Sequence, residues 1–345
     1  MTKLTFSPVI PAGSTILVTG ANGLIASHAV DQLLAFGYNV RGTVRDTTKC
    51  TWMESLFASR HPASHFEIVQ VSDFGVPNAW DAAVEGVAGI AAVAGGASLT
   101  IQDIDKAFEE EYPWNESLLR AAKNEPNVKS FVYTSSAWAA WTPDQTKKVE
   151  LSEWSFNDHA VQLVRSNDPA KEKGIIPYMA FKTLLEQRIW EWVRREKPHF
   201  SFNTILPETV IGGCLDPKGQ GIPSTCGMVK VLADGVKLDM FSRIPPQWHI
   251  DTRDCGLLYV AALITPGVDR ERLFGFSDRY SWPRVSQILK NMYPEKDVSV
   301  LEDNGWDRTD VPNQRAEELL HGLGQSGWTS LEESVKDCAE SFMQI

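Results

Sequence analysis

Cysteine is scarce in this sequence of 345 residues, and what there is has no pattern. The five cysteines, Cys50, Cys214, Cys226, Cys255 and Cys338, are odd in number and include no Cys-x-x-Cys pair. That argues against a disulfide framework or a zinc site, and it fits a reducing compartment. Thiols spaced like this read as small buried hydrophobes, and no metal is expected. Positive charge is also in short supply. Lys and Arg number 33 against 44 Asp and Glu, leaving a net charge of -11. A nucleic-acid binder needs a basic face to meet phosphates, and here the only short basic clusters are Lys147-Lys148 and Arg194-Arg195. Both read as solvated surface, and nucleic acid is not an expected partner. Long apolar runs are missing too. The most apolar stretch, 84–99, is interrupted by glycines and too short to cross a bilayer. The opening MTKLTFSPVIPAGS lacks the apolar core of a signal peptide. The expectation is a cytoplasmic protein without a membrane partner. Internal repeats and low-complexity tracts are absent as well.

What is present is an ordinary globular balance, 43% hydrophobic and 22% charged, in a chain long enough to bury a large core. Short β-rich runs at 15–19, 39–45, 66–71, 89–94, 130–134 and 200–206 alternate with helical spacing near 24–36, 48–59, 78–85, 105–124 and 179–196. Such alternation predicts a parallel sheet wrapped by helices, an α/β, Rossmann-type doubly wound fold. Strands buried on both faces read as apolar runs, as ILVT and SFVYT do. The pattern changes after Pro207. Segment 208–247 is rich in Gly and Pro, with one helical candidate near 226–234. A strand-like 248–250, an apolar helix over 254–264, a strand over 273–276 and helices near 283–292, 313–322 and 330–343 complete the chain. The predicted organisation is a dinucleotide-binding domain over 1–207, to which 248–276 returns. A smaller substrate-binding lobe is formed by 208–247 and 277–345.

The first strand runs straight into Gly20-Ala21-Asn22-Gly23-Leu24-Ile25-Ala26, and a helical pattern follows. A glycine turn before a helix N-terminus leaves room for a pyrophosphate and offers it free N–H groups and a positive dipole end. Gly20 permits the tight turn, Gly23 the close approach of backbone, and Ala26 the packing of helix on strand. About 20 residues further on, NAD binders place an acid at the end of strand two to hold the ribose hydroxyls. That position is Val44 here, and Arg45 follows it. An arginine pairs well with a 2′-phosphate, so NADPH is the expected cofactor. Asp46 is the opposing feature, because it is able to swing in as the missing acid.

Tyr178 and Lys182 form a Tyr-x-x-x-Lys pair on one helix face, and Ser136 ends the strand-like FVYTSS. Ligands of open α/β sheets bind at the C-terminal ends of strands, which is where Ser136 falls. Hydride delivery to a carbonyl carbon leaves negative charge on oxygen, and a proton must reach it. A tyrosine, of ordinary pKa about 10, is a suitable acid. A lysine ammonium and the oxidised nicotinamide beside it are expected to lower that pKa toward the working pH. Ser136 is placed to donate to the same oxygen, and Lys182 to reach the nicotinamide ribose.

Together these elements resemble the extended short-chain dehydrogenase/reductase family. The likeness is to the branch holding plant dihydroflavonol 4-reductases and yeast and fungal aldehyde/carbonyl reductases. The stretches that carry it are VTGANGLIASHAVDQLLAFGYNVRGTVRD, SFVYTSSAWAA, YMAFKTLLEQRIWEW, NTILPETVIG, PPQWHIDTRDCGLLYVAAL and GWTSLEESVKD. The resemblance implies Ser136, Tyr178 and Lys182 as a catalytic triad, and Gly20, Asn22, Gly23, Leu24, Ile25 and Arg45 at the cofactor. It also implies Asp73 at the adenine amino group, and Pro207 and Thr209 near the nicotinamide. Two departures stand out: Ala26 replaces a third glycine, and Ala92 stands where many relatives carry His.

The substrate side is expected in 138–177 and 208–250. Trp138, Trp141, Trp154 and Trp248 lie there, among 12 tryptophans in all. An aromatic pocket suits a small hydrophobic ketone or aldehyde, with Trp138, Gln247 and His249 as candidates to orient it. For any single tryptophan, core filling is the competing reading. The function expected is NADPH-dependent carbonyl reduction. A nucleotide-sugar epimerase or dehydratase on the same scaffold is one alternative, and Val44-Arg45 speaks against it. A non-catalytic NADP(H) sensor is the other, and the intact Tyr178 and Lys182 speak against that. Monomer and homodimer are both left open.

Overall fold

In a computed structural model the described residues are 4–343, apart from 97, 98, 100, 102 and 169–174. The last of these ranges falls in the segment expected to frame the pocket. The first half of the chain builds β1 (Thr15–Val18), α1 (Leu24–Ala35), β2 (Asn39–Val44), α2 (Trp52–Arg60), β3 (Phe66–Gln70), α3 (Asp81–Val84), β4 (Gly89–Ala92), α4 (Ile104–Asn124), β5 (Ser130–Thr134), α5 (Asp158–Val164) and α6 (Ile176–Glu196). The second half adds β6 (Ser201–Pro207), β7 (Thr209–Ile211), α7 (Pro217–Gln220), α8 (Ser224–Ala233), α9 (Leu238–Ser242), β8 (Gln247–Asp251), α10 (Thr252–Ile264), β9 (Arg272–Gly275), β10 (Asp278–Tyr280), α11 (Trp282–Met292), α12 (Gln314–Gly322) and α13 (Leu331–Met343).

Seven strands form one sheet in the order β3-β2-β1-β4-β5-β6-β9. Every pairing in it is parallel. The order reverses between β1 and β4, and that crevice is where a doubly wound sheet binds ligand. One face is covered by α1, α2, α10 and α12. The other is covered by α3, α4 and α6. Burial on both faces explains why β1 and β5 read as apolar runs. The helix α10 is buried on every side except at Arg253, as its nearly continuous apolar sequence requires. It approaches α1 closely because residue 256 is glycine: a Cβ there would lie 2.7 Å from the carbonyl carbon of His28. The helix α6 ends where Lys197 turns to φ +43° and Pro198, which has no N–H, follows.

A second sheet, β10-β8-β7, pairs β7 with β8 in parallel and β8 with β10 antiparallel. It packs with α8, α9, α11 and α13 around a separate apolar cluster. This corrects one expected boundary. Of 248–276, expected to return to the dinucleotide-binding domain, β8 lies in the small sheet, while α10 packs on the large sheet and β9 joins it. Within 208–247, β7, α7 and α9 are shorter than six residues, below the length at which periodicity is readable. No described helix is long and apolar enough to cross a membrane.

Candidate active site

Gly20 closes β1 with φ +64°, a left-handed conformation that a side chain would strain, and a Cβ there would also meet Ala94 at 3.1 Å. Gly23 caps α1, and no side chain satisfies the N–H groups of its first turn. The loop is braced from outside by Gln220, whose amide donates to Asn22 O, Gly23 O and Ser27 Oγ at 3.0 to 3.2 Å. In front of it lies a groove of about 940 Å³. Gly20, Asn22, Gly23, Leu24, Ile25, Arg45 and Asp73 all line it.

Beside β2 the two opposing charges both line the groove and differ in their partners. Asp46 is engaged: its carboxylate accepts from Thr48 N at 3.0 Å and Thr48 Oγ1 at 2.6 Å, and lies 3.4 Å from Lys49 Nζ. Those bonds hold its pKa below the usual value. Arg45 is exposed on the groove wall, and no partner for its guanidinium is seen among the described residues. Lys49 lines the same wall, a cation that sequence reasoning passed over although it stands four residues after Arg45. An open helix N-terminus, an uncommitted guanidinium and a second cation fit the pyrophosphate and 2′-phosphate of NADPH.

Beyond Val93 and Ala94 the groove reaches Gly95 and Gly96. Here β5 meets β4, with Thr134 Oγ1 donating to Ala92 O at 2.8 Å. Successive turns of α6 then face the end of β5. Tyr178 lies against Trp138, two residues past Ser136, and the Ser136 hydroxyl only partly offsets the rise that burial gives the phenol's pKa. Lys182 Nζ donates to Thr134 O at 3.4 Å. Glu186 Oε2 accepts from Ser135 Oγ at 2.7 Å and from Arg272 Nη2 at 2.9 Å. Ser136 itself caps a short turn, its Oγ accepting from Trp138 N at 3.3 Å. The Trp138 ring stands edge-on to Tyr178, centroids 6.0 Å apart.

Burial, aided by the Glu111 carboxylate, raises the Tyr178 phenol to about 12. The lowering expected from Lys182 was expected with the oxidised nicotinamide beside it, and here Lys182 Nζ is turned to a backbone carbonyl of β5. Burial also lowers the Lys182 pKa, opposed by Glu111 and Glu186. Glu111 is a residue that sequence reasoning missed. It is buried on α4, its Oε2 accepts from Gly96 N at 3.0 Å, and its charge is felt by both Tyr178 and Lys182. It sits in a run of three glutamates, and sequence does not say which of them turns inward.

The candidate substrate residues fare unevenly. Trp138 is at the site. Gln247 is buried and its amide is spent inside the protein, accepting from Trp138 Nε1 at 2.8 Å and donating to Pro245 O at 3.3 Å. His249 is fully buried in the small sheet, with Nδ1 3.0 Å from Asp278 O and Nε2 3.2 Å from Ser277 Oγ. Trp141 and Trp248 fill an apolar cluster with Leu206, Phe274 and Phe276. Trp154 is half exposed and packs edge-on to Trp190. Pro207 ends β6, and the Thr209 hydroxyl next to it accepts from Tyr280 at 2.9 Å. No group of His, Cys, Asp and Glu able to hold a metal is found among the described residues.

The sequence pattern of the NAD dependent epimerase/dehydratase family matches residues 16–213. Aldehyde reductase 2 of Sporidiobolus salmonicolor is 35% identical over 338 residues, covering 96% of this chain and 97% of that protein. Ketoreductase adrE of Penicillium rubens is 36% identical over 337 residues, covering 95% of this chain and 96% of its own. Among solved structures, yeast methylglyoxal/isovaleraldehyde reductase Gre2 complexed with NADPH superimposes with a TM-score of 0.77 at 21% identity, covering 96% of this chain and 98% of that one. At that identity the likeness is one of fold.

Proposed function

The chain belongs to the NAD dependent epimerase/dehydratase family, the extended short-chain dehydrogenases/reductases, and from that premise we propose that it reduces a ketone or aldehyde to the alcohol with NADPH. The observation that carries the reading is that α6 sets Tyr178 and Lys182 against the end of β5, where Ser136 follows, beside a groove lined by the glycine loop and Arg45. The names of the aldehyde reductase and ketoreductase relatives support the reaction class. The groove's two cations, with Asp46 held by Thr48, support NADPH over NADH.

When bound, the reduced nicotinamide supplies the hydride. The protein's part is the oxygen. Ser136 donates a hydrogen bond to it, and that bond strengthens as negative charge develops. Tyr178 holds the proton. With its pKa raised to about 12, the phenol stays protonated at every ordinary working pH. An alkoxide is a stronger base still, so transfer from Tyr178 runs downhill. Lys182, buried and held to Thr134 O, fixes the cationic end of the site and faces Glu111, which balances it.

The test is NADPH consumption against a panel of aryl ketones, β-ketoesters, aldehydes and dihydroflavonols. Net consumption separates a reductase from an epimerase, which returns its hydride. Tyr178→Phe is expected to lower kcat by about 100-fold or more while NADPH still binds, because general acid catalysis contributes roughly that much. A mutant with near-normal kcat, or no turnover of any panel member by the unaltered protein, overturns the reading.

A further inference from the structure

Glu208 is a carboxyl that the mechanism above does not use. It lies between Pro207, which ends β6, and Thr209, which begins β7. The strand β6 runs alongside β5, whose end carries Ser136. Glu208 is only 5% exposed. Its Oε2 accepts the Thr209 N–H, and its Oε1 has no partner among the described residues. Trp138 links it to the reacting centre. The indole is close enough to the carboxyl to lower its pKa, donates to Gln247, and stands against the Tyr178 ring.

We propose that Glu208 determines specificity: its carboxyl donates a hydrogen bond to a second, uncharged acceptor oxygen on the carbonyl substrate, selecting compounds such as β-ketoesters over simple ketones. This rests on the reductase reading. The groups around the carboxyl supply no counter-ion. From the 307–309 loop, Asp307 faces it and disfavours its charge. From β10, Tyr280 is turned to Thr209, and Arg279 lies over the Trp248 ring at 4.2 Å and donates to Thr309 O. From β8, His249 packs on Tyr280 at 6.4 Å and is kept neutral by burial. From α6, the Tyr178 phenol is protonated.

A carboxylate buried without a cation is costly, and the group takes up a proton instead. Burial accordingly pushes Glu208 up to about 8. Because Oε2 faces an N–H donor, the proton belongs on Oε1, the oxygen that has no partner. A buried O–H without an acceptor costs about 1–3 kcal/mol, which a substrate oxygen relieves. The sign of the pH effect follows. Below about 8 the acid donates; above it the carboxylate meets the substrate oxygen with a lone pair, and the preference is lost.

The experiment compares kcat/KM for ethyl benzoylacetate and for acetophenone, using the full chain and NADPH, at about pH 6.5 and about pH 9.5. The ratio for the unaltered protein is expected to fall about tenfold or more between those pH values, the weight of one good hydrogen bond. Glu208→Gln, whose amide donates at either pH, is expected to keep a high ratio at both. Glu208→Leu is expected to give a low ratio at both. A ratio that ignores pH in the unaltered protein, or one that Glu208→Leu leaves within about twofold, overturns the proposal. If Glu208→Leu does not fold, the unaltered protein and Glu208→Gln decide alone. If the unaltered protein turns over neither compound, the wider panel above decides the reductase reading. Calorimetric binding of the ketoester in the presence of NADP+ then decides: weaker binding in Glu208→Leu, restored in Glu208→Gln, supports the assignment, and equal binding in all three overturns it.

Discussion

Arg45 and Asp46 are neighbours of opposite charge, and their surroundings give them different work. Asp46 caps the turn that follows β2 and is committed to Thr48. Arg45 faces the groove with Lys49 beside it. Charge-assisted hydrogen bonds to a phosphate contribute about 1.5–3 kcal/mol each, so Arg45→Ala is expected to raise the Kd for NADPH by about 10- to 100-fold. The Kd for NADH should stay within about twofold, since a free hydroxyl gains little from a guanidinium. Fluorescence titration of both nucleotides checks this, and equal weakening refutes the assignment. At this scale sequence was informative where spacing alone makes a pair. Tyr178 and Lys182 share a helix face by their i,i+4 separation. Glu111 and Glu208 were not legible, since their burial depends on chain segments far away in sequence. The full burial of His249 was not legible for the same reason.

Among the elements, α6 carries Tyr178 and Lys182, and its third inward turn is structural. Glu186 and Arg272 are both fully buried and joined by two hydrogen bonds at 2.8 and 2.9 Å. Glu186 also accepts from Ser135, Trp190 and Thr204. Arg272 reaches on to the carbonyls of Glu153 and Ser155. The pair locks α6 to β5, β6 and β9, and so sets how Tyr178 stands against the end of β5. Removing one charge strands the other in the core, at a cost of about 3–5 kcal/mol. Glu186→Gln is therefore expected to lower the unfolding free energy by about that amount, with the urea midpoint reduced and the slope unchanged. A loss under about 1 kcal/mol would show that Arg272 has found another partner. Long elements were readable, α4 and α6 from periodicity and α10 as an apolar run of helical length. The seven-residue α5 and the three-residue β7 and β10 were not, because so short a stretch carries no period.

Across the whole molecule, the small sheet and its helices are tied into the main core at several points. Asp254 on α10 accepts from Thr329 N and Oγ1 at 2.7 and 2.8 Å, and Asp251 accepts from Ser334 Oγ at 2.8 Å. The apolar cluster around Trp141 and Trp248 spans the junction. The groove also touches both parts, since Ser224 of α8 lines it together with the glycine loop. One cooperative calorimetric transition is expected. NADPH at about a hundredfold excess over its Kd should stabilise the protein by about 2.7 kcal/mol and move the entire transition upward. Two resolved transitions, only one of them moved by NADPH, would show that the parts unfold separately.

Sequence alone determined the alternation of strands and helices, the glycine turn and the Tyr178–Lys182 pair, because each is written in spacings within one or two elements. The tertiary structure decided which acid is buried, which cation is left uncommitted, which sheet takes β8 and which tryptophan stands at Tyr178. Those outcomes depend on contacts between residues tens to hundreds of positions apart, where burial and electrostatic partners are set by packing and local periodicity carries no information.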